Sequence, residues 1–339
     1  MALKHPFKVS YGTRTHQVSI VIELSHRGIS GYGEAPVIFY YNVNIDEWLA
    51  KIAPLNKILS SQTITTPEEF HEFLKPHLGE DSFLLSAIDE AAHDWYAKSV
   101  GKPLYEVWNL DISKSAHSSF TIGLDTVEKM IQKLKEEPDW KIYKIKLEAH
   151  NAIEMVTELR KHTQAVFRVD ANCSWTAEQT ITYSKTLKEL GVEFIEQPLP
   201  KDNLEDMVRV KQESALPIIA DESVLVEGDV DKVKDYFHGV NIKVEKCGGL
   251  TPARRMISRA KQFGLKVMVG CMVEGTTAIS ALAHLLPELD YADLDGPVLL
   301  TSETDNSDGV KITPLGPQFV TVPGTGAVIF ESRAEQIAE

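Results

Sequence analysis

Two lysines one residue apart, Lys144 and Lys146, lie in the run Tyr143-Lys144-Ile145-Lys146-Leu147. Side chains alternate along a strand, so both point into the same interior. Further on, Asp170 ends Phe167-Arg168-Val169-Asp170, and Glu196 ends Glu193-Phe194-Ile195-Glu196. Asp221 follows Ile218-Ile219-Ala220, and Lys243 ends Val240-Asn241-Ile242-Lys243. The steps from Lys146 are 24, 26, 25 and 22 residues.

Three carboxylates converging from neighbouring strand ends repel one another, and a divalent cation relieves that repulsion. An all-oxygen ligand set favours magnesium over zinc, with manganese as a substitute. Asp170, Glu196 and Asp221 are therefore expected to hold one Mg2+ per site, with Asn172 as a hydrogen-bonding support. Lys146 and Lys243 then face each other across the mouth as acid and base. A lysine beside a cation and other lysines is expected to have a lowered pKa. Two bases on opposite faces of one carbon remove a proton from one side and return one to the other, which is epimerisation. Lys144, beside the substrate carboxylate, would stabilise the enediolate that forms.

The elements that must position these groups follow from hydrophobic periodicity. Strands are expected near 118–123, 142–147, 166–169, 193–196, 217–220, 239–242, 266–269 and 290–294. Helical segments such as Ala152–His162, Ala177–Leu190 and Pro252–Phe263 lie between them. Eight short apolar strands alternating with helices predict an α/β barrel, whose active site sits at the C-terminal strand ends. Before it, residues 17–24 and Ile29–Glu34 read as a hairpin. Helices follow from Asp46 (with Trp48, Leu49 and Ile52 on one side), from Pro67, and over Phe83–Ser99. The domains expected are 1–115 (α+β cap), 116–303 (barrel) and 304–339, a Pro/Gly-rich segment returning to the cap.

The chain's 339 residues, 43% hydrophobic, suffice for one large core or two moderate ones. A net charge of −14 argues against nucleic acid and anionic membranes as partners. Three cysteines without a pairing motif suggest a reducing compartment. The N-terminus lacks the apolar core of a signal peptide, and no run approaches a membrane span. A cytoplasmic enzyme is expected, as a homo-oligomer.

Taken together, Lys144-Ile-Lys146, Asp170-Ala-Asn172, Glu196-Gln-Pro198, Ala220-Asp221-Glu222-Ser223, Asn241-Ile-Lys243 and Lys246-Cys-Gly-Gly249 resemble the enolase superfamily in its muconate-lactonising-enzyme-like subgroup. The likeness extends to Gly31-Tyr-Gly-Glu-Ala35, Ser86-Ala-Ile-Asp89, Gly101-Lys-Pro-Leu104 and Pro323-Gly-Thr-Gly326. It implies a modified TIM barrel, (β/α)7β, under an α+β capping domain built from both termini. It also implies Lys146 and Lys243 as acid/base residues, and Asp170, Glu196 and Asp221 as magnesium ligands.

Within the subgroup, Asp293 and Asp295 in Ala292-Asp-Leu-Asp-Gly-Pro297 resemble the Asp-x-Asp motif that dipeptide epimerases use for a substrate ammonium group. A dipeptide substrate is implied, with L-Ala-D/L-Glu ahead of hydrophobic dipeptides. Residues 11–16 and 36–43 are expected to form two loops closing over the mouth. Arg14 would pair with a substrate glutamate, whereas Phe39, Tyr40 and Tyr41 would suit an apolar residue. Thr121 and Met272 join the expected substrate contacts. The rivals are o-succinylbenzoate synthase and muconate cycloisomerase, which need no ammonium-binding aspartates. A non-catalytic metal-binding barrel scaffold is the alternative outside enzymes.

Overall fold

The computed structural model describes residues 1–9, 12–38, 41, 43–60, 65–78, 81–301 and 304–330. Its N-terminal part has two antiparallel hairpins, β1 (Ala2–Val9) with β2 (Gly12–His16) and β3 (Ser19–His26) with β4 (Ile29–Pro36). Helices α1 (Ile45–Leu59), α2 (Pro67–Leu78), α3 (Ser82–Ser99) and α4 (Leu104–Val107) follow. The expected loop over 11–16 is thus largely a strand, paired through Phe7–Arg14 and Val9–Gly12. Phe39 and Tyr40 lie outside the described residues. Leu49 is 54% exposed, so the inner face of α1 is carried by Trp48 and Leu55 instead.

The helix α3 is the hub of this part. Five of its polar residues, Ser86, Asp89, Glu90, His93 and Asp94, are buried too, and each is held by a partner, as buried polar groups require. Asp89 accepts from the Thr251 backbone N–H (2.8 Å) and hydroxyl (2.8 Å). Asp94 accepts from Tyr32 N–H at 2.9 Å, Lys98 at 2.6 Å and Thr325 N–H at 2.7 Å. The β4 backbone lies directly on this helix. A Cβ at Gly33 would come 2.1 Å from the Ala87 carbonyl oxygen, and one at Gly31 2.1 Å from that of Ala91. These obstacles are backbone and cannot swing aside. Gly33→Ala is therefore expected to destabilise the protein by roughly 3 kcal/mol or more. Thermal melting checks this, and an unchanged Tm would contradict the packing.

The second part runs β5 (Phe120–Ile122), α5 (Val127–Glu136), β6 (Ile142–Lys146), α6 (Ala152–Arg160), β7 (Val166–Asp170) and α7 (Ala177–Glu189). It continues with β8 (Val192–Glu196), α8 (Leu204–Glu213), β9 (Ile218–Ala220), α9 (Glu227–Val233), β10 (Gly239–Lys243), α10 (Val244–Cys247) and α11 (Leu250–Gln262). Then come β11 (Lys266–Gly270), α12 (Thr276–Ala283) and β12 (Tyr291–Asp293). Strands β5 to β12 form one parallel sheet in sequence order. A bridge between Ser118 and Ala292 joins its two edges, and helices occupy the seven intervals. This is the expected (β/α)7β barrel.

Alternation divides each strand between two cores. Tyr143, Phe167, Val169, Ile195, Ile218, Val240, Ile242 and Val267 face the helices in one large cluster. Phe194, Ile219, Met268 and Tyr291 fill the interior. Arg168 closes that layer, its guanidinium 5.4 Å from the Phe194 ring and 5.0 Å from that of Tyr291. The opposite end of the interior is left to the charged residues.

The last segment forms short pairs, β13 (Ser307–Asp308) with β16 (Val328–Ile329) and β14 (Lys311–Thr313) with β15 (Gly316–Gln318). It touches both parts: Val310 N–H donates to Ser280 on α12 (2.9 Å), and Thr325 to Asp94 on α3. Among the described residues no helix is long and apolar enough to cross a membrane.

Candidate active site

The C-terminal ends of β6 to β10 and β12 carry Lys144 and Lys146, Asp170, Glu196, Asp221, Lys243 and Asp293 around one mouth. Lys144 is its electrostatic centre. Its ammonium lies 3.2 Å from Asp170 Oδ2, 3.0 Å from Glu196 Oε2 and 3.0 Å from Asp293 Oδ2. Lys146 reaches Asp170 Oδ2 at 3.3 Å and Asn172 Oδ1 at 3.2 Å. Lys243 donates to the Cys271 carbonyl at 2.9 Å. Lys146 ends the second strand of the barrel and Lys243 the sixth, half a circumference apart.

Burial disfavours the charges of Lys144 and Lys243, yet the carboxylates around them outweigh it. Asp293, Glu196 and Asp170 hold Lys144 well above the usual lysine range, and Asp221 holds Lys243 above it despite Lys144 nearby. At Lys144 and Lys243 the expected lowering of pKa is therefore not produced by the protein's own charges, because acids outnumber bases at the mouth. The acids respond in kind. Burial would raise Asp170, Asp221 and Asp293, but the lysines bring all three down, Asp293 to about 2. Burial pushes Glu196 up to about 7.

The three expected metal ligands are buried, at 1%, 0% and 5% exposure for Asp170, Glu196 and Asp221. They offer oxygen alone, and the only described partner of Glu196 Oε2 is the Lys144 ammonium. That donor chemistry fits a hard divalent cation. Among the described residues no three acidic, histidine or cysteine side chains stand close enough to hold an ion as they are. The ammonium groups of Lys144, Lys146 and Lys246 rest on their oxygens instead.

Asp293 and Asp295 are braced from β5 and the residue just before it. Ser119 and Thr121 hydroxyls donate to Asp293 Oδ1 at 2.8 and 3.2 Å, and the Thr121 N–H to Asp295 Oδ2 at 2.5 Å. Thr121 thus holds the pair rather than standing apart from it. Burial and the Asp293 charge push Asp295 up to about 7. Met272 sits at the seam, packed on the core of the N-terminal part. Among the described residues the Arg14 guanidinium hydrogen-bonds Gln17 alone (3.1 Å), so the structure does not bring it to the charged mouth. Tyr41 does reach that mouth: its ring lies 5.5 Å from Lys246 Nζ and 5.4 Å from the Phe83 ring.

Three supporting residues carry no role in the sequence reading. Asn241 donates to Glu196 Oε1 at 2.8 Å, and strand alternation from Lys243 places it on the inner face. Lys246 donates to Asp221 Oδ1 at 2.8 Å, one helical turn beyond Lys243. Gln197, at φ +33°, accepts from the Asp221 and Ser223 N–H groups (3.0 and 3.2 Å) and donates to Leu199 O and Ser223 Oγ (both 2.9 Å). Nothing in its spacing signals that clamp.

A parallel eight-stranded barrel with lysines and carboxylates at its mouth, roofed by an α+β part, defines an enolase-type enzyme. The chain belongs to the mandelate racemase / muconate lactonizing enzyme family. The model of that family's N-terminal domain matches residues 1–108, and the enolase C-terminal domain-like model matches 126–331. A Flavobacterium johnsoniae protein named L-Ala-D/L-amino acid epimerase is 46% identical over 97% of each chain. The substrate-liganded L-Ala-D/L-Glu epimerase of Bacillus subtilis superposes with TM-score 0.88 at 26% identity, over 96% of this chain and 95% of that one. The Methylococcus capsulatus dipeptide epimerase, complexed with Mg and L-Arg-D-Lys, gives 0.87 at 28% identity over 96% of each. The chain is an isomerase of the racemase and epimerase kind.

Proposed function

We propose that this protein is a magnesium-dependent dipeptide epimerase that inverts the α-carbon of the C-terminal residue. L-Ala-D/L-Glu is the first substrate to test, and other L-Ala-D/L-amino acid dipeptides come next. The observation that carries the reading is the placement of Lys146 and Lys243 half a barrel apart, at a mouth where Lys144 pairs with Asp293. One lysine, neutral, takes the α-proton from its face of the carbon. The other, protonated, delivers a proton to the opposite face, so the two lysines exchange protonation states with each turnover.

Asp170, Glu196 and Asp221 would hold the Mg2+, their oxygens exchanging an ammonium contact for the ion. When bound, the ion stabilises the negative charge that develops on the substrate carboxylate. Lys144 adds a fixed positive charge beside it. Asp293 and Asp295 receive the substrate ammonium, which sets this reading apart from cycloisomerisation and β-elimination. The cap, 1–115 with the segment 304–330, selects the second residue. The Tyr41 ring at the mouth favours accepting apolar side chains as well as glutamate. The relatives' names and the magnesium-and-dipeptide complex of the Methylococcus capsulatus enzyme support the assignment.

The test is α-proton exchange in deuterated water across a dipeptide library. L-Ala-L-Glu should gain deuterium at the glutamate α-carbon and yield the L,D form, while its N-acetyl derivative should react poorly. Equal turnover of the free and N-acetylated dipeptides would refute the ammonium site. Hydrogen bonds to charged groups contribute about 1.5–3 kcal/mol. Asp293→Asn and Asp295→Asn are therefore each expected to lower kcat/KM for dipeptides by roughly ten- to a hundredfold. Steady-state kinetics beside magnesium titration checks this, with metal affinity unchanged.

A further inference from the structure

Behind Lys243 lies a second acidic pair that the proposed chemistry does not use. Glu245, on α10, and Glu274, in the loop after β11, are both 0% exposed. Their side chains face each other within hydrogen-bonding reach. None of their four carboxyl oxygens accepts a hydrogen bond from any other described group. Two carboxylates in that state would each carry an unsolvated charge against the other, which a buried site does not tolerate.

The surroundings offer no other relief. From β4 comes Glu34, already used by the N–H groups of Gly275 (2.9 Å) and Ala278 (3.4 Å). From α3 comes Glu90, used by Ser86 and by the Glu34 N–H (both 3.1 Å). Cys247 feels the charge of Glu245 and Cys271 that of Glu274, and neither thiol donates to the pair. The two nearby cations act on Glu245 from a distance, but Lys243 donates to Cys271 O and Lys246 to Asp221.

We propose that Glu245 and Glu274 share a proton as a carboxylic acid pair and, by tying α10 to the loop after β11, act as positioning residues for Lys243. Glu245 lies two residues beyond Lys243, and Glu274 three beyond Cys271, whose carbonyl holds the Lys243 ammonium. The pair thus joins the two segments whose separation fixes that contact. The loop is confined from its other side as well: a Cβ at Gly296 would come 2.7 Å from Glu274 O and 3.2 Å from Met272 O. Burial raises both acids; the Glu245 charge lifts Glu274 further, well above the ordinary range, whereas the hydrogen bond from Glu274 pulls Glu245 part of the way back. The fold therefore keeps protons that the unfolded chain has released. The pair's contribution to stability is full in acid and falls as pH rises from the ordinary glutamate range through the raised values.

The rate arm of the test rests on the acid/base reading of Lys243; the other arms do not. Infrared spectra of the whole enzyme at neutral pH should contain the carbonyl stretch of a protonated carboxylic acid, lost in the Glu245→Gln, Glu274→Gln double variant. The fall of Tm with rising pH should be shallower in Glu274→Gln than in wild type. Glu274→Gln carries its donor permanently and should keep kcat within about tenfold, whereas Glu274→Ala loses roughly a hundredfold in kcat with KM little moved. Absence of the acid band, or a pH slope unchanged in Glu274→Gln, overturns the proposal. If the dipeptide reading alone is wrong, the band and the slope persist without dipeptide turnover.

Discussion

Replacing either Lys146 or Lys243 by alanine is expected to abolish epimerisation, by at least about 10²-fold, the usual contribution of a positioned acid or base. The two variants should nonetheless differ. With Lys243 gone, Lys146 still faces one side of the α-carbon, so one epimer alone should exchange its α-proton with deuterated solvent. With Lys146 gone, the other epimer should exchange. This reciprocity comes from the half-turn of barrel between β6 and β10, and a one-base enzyme would not produce it. Proton NMR of each epimer with each variant reads it directly. Net epimerisation surviving either substitution would remove the two-base reading.

Stripping divalent cations by chelation and dialysis is expected to abolish turnover, with recovery on adding Mg2+. Asp170→Asn, Glu196→Gln and Asp221→Asn should each lose roughly 10²-fold or more, since each carboxylate would help to hold the cation that offsets the negative charge of the transition state. Folding should survive at Glu196→Gln, because an amide oxygen can still accept from Asn241, and Lys144 keeps Asp170 and Asp293. Calorimetric magnesium titration with circular dichroism separates lost binding from lost fold. Full activity after chelation would overturn the metal assignment.

The barrel was legible because each of its strands is short, apolar and ended by a charge or a turn. The interval between Lys146 and Lys243 is a count of strand–helix repeats, and the structure places those residues where the count says. The first hairpin was not legible: Ala2–Val9 lacks strict alternation, and its partner strand holds Gly12 and polar residues. Leu49 misled because an apolar residue on a helix is read as inward, whereas Trp48 turns the inner face of α1 the other way. Long-range partners were invisible for a different reason. The clamp at Gln197 and the pairing of Glu245 with Glu274 depend on contacts across the barrel rim, and periodicity within one element carries no record of them.

The Asp94 carboxylate, which gathers Tyr32, Lys98 and Thr325 at one point, spans 231 residues with its longest link. During synthesis the N-terminal hairpin and α3 leave the ribosome long before Thr325 does. Until then, one oxygen of a carboxylate destined for the core has neither of its Thr325 donors. The roof of the active site can therefore finish folding only after the whole barrel has been made. Such late, distant contacts slow folding and leave β4 and α3 exposed to other chains meanwhile. Slow translation or low temperature during expression should accordingly favour the barrel first and the roof last.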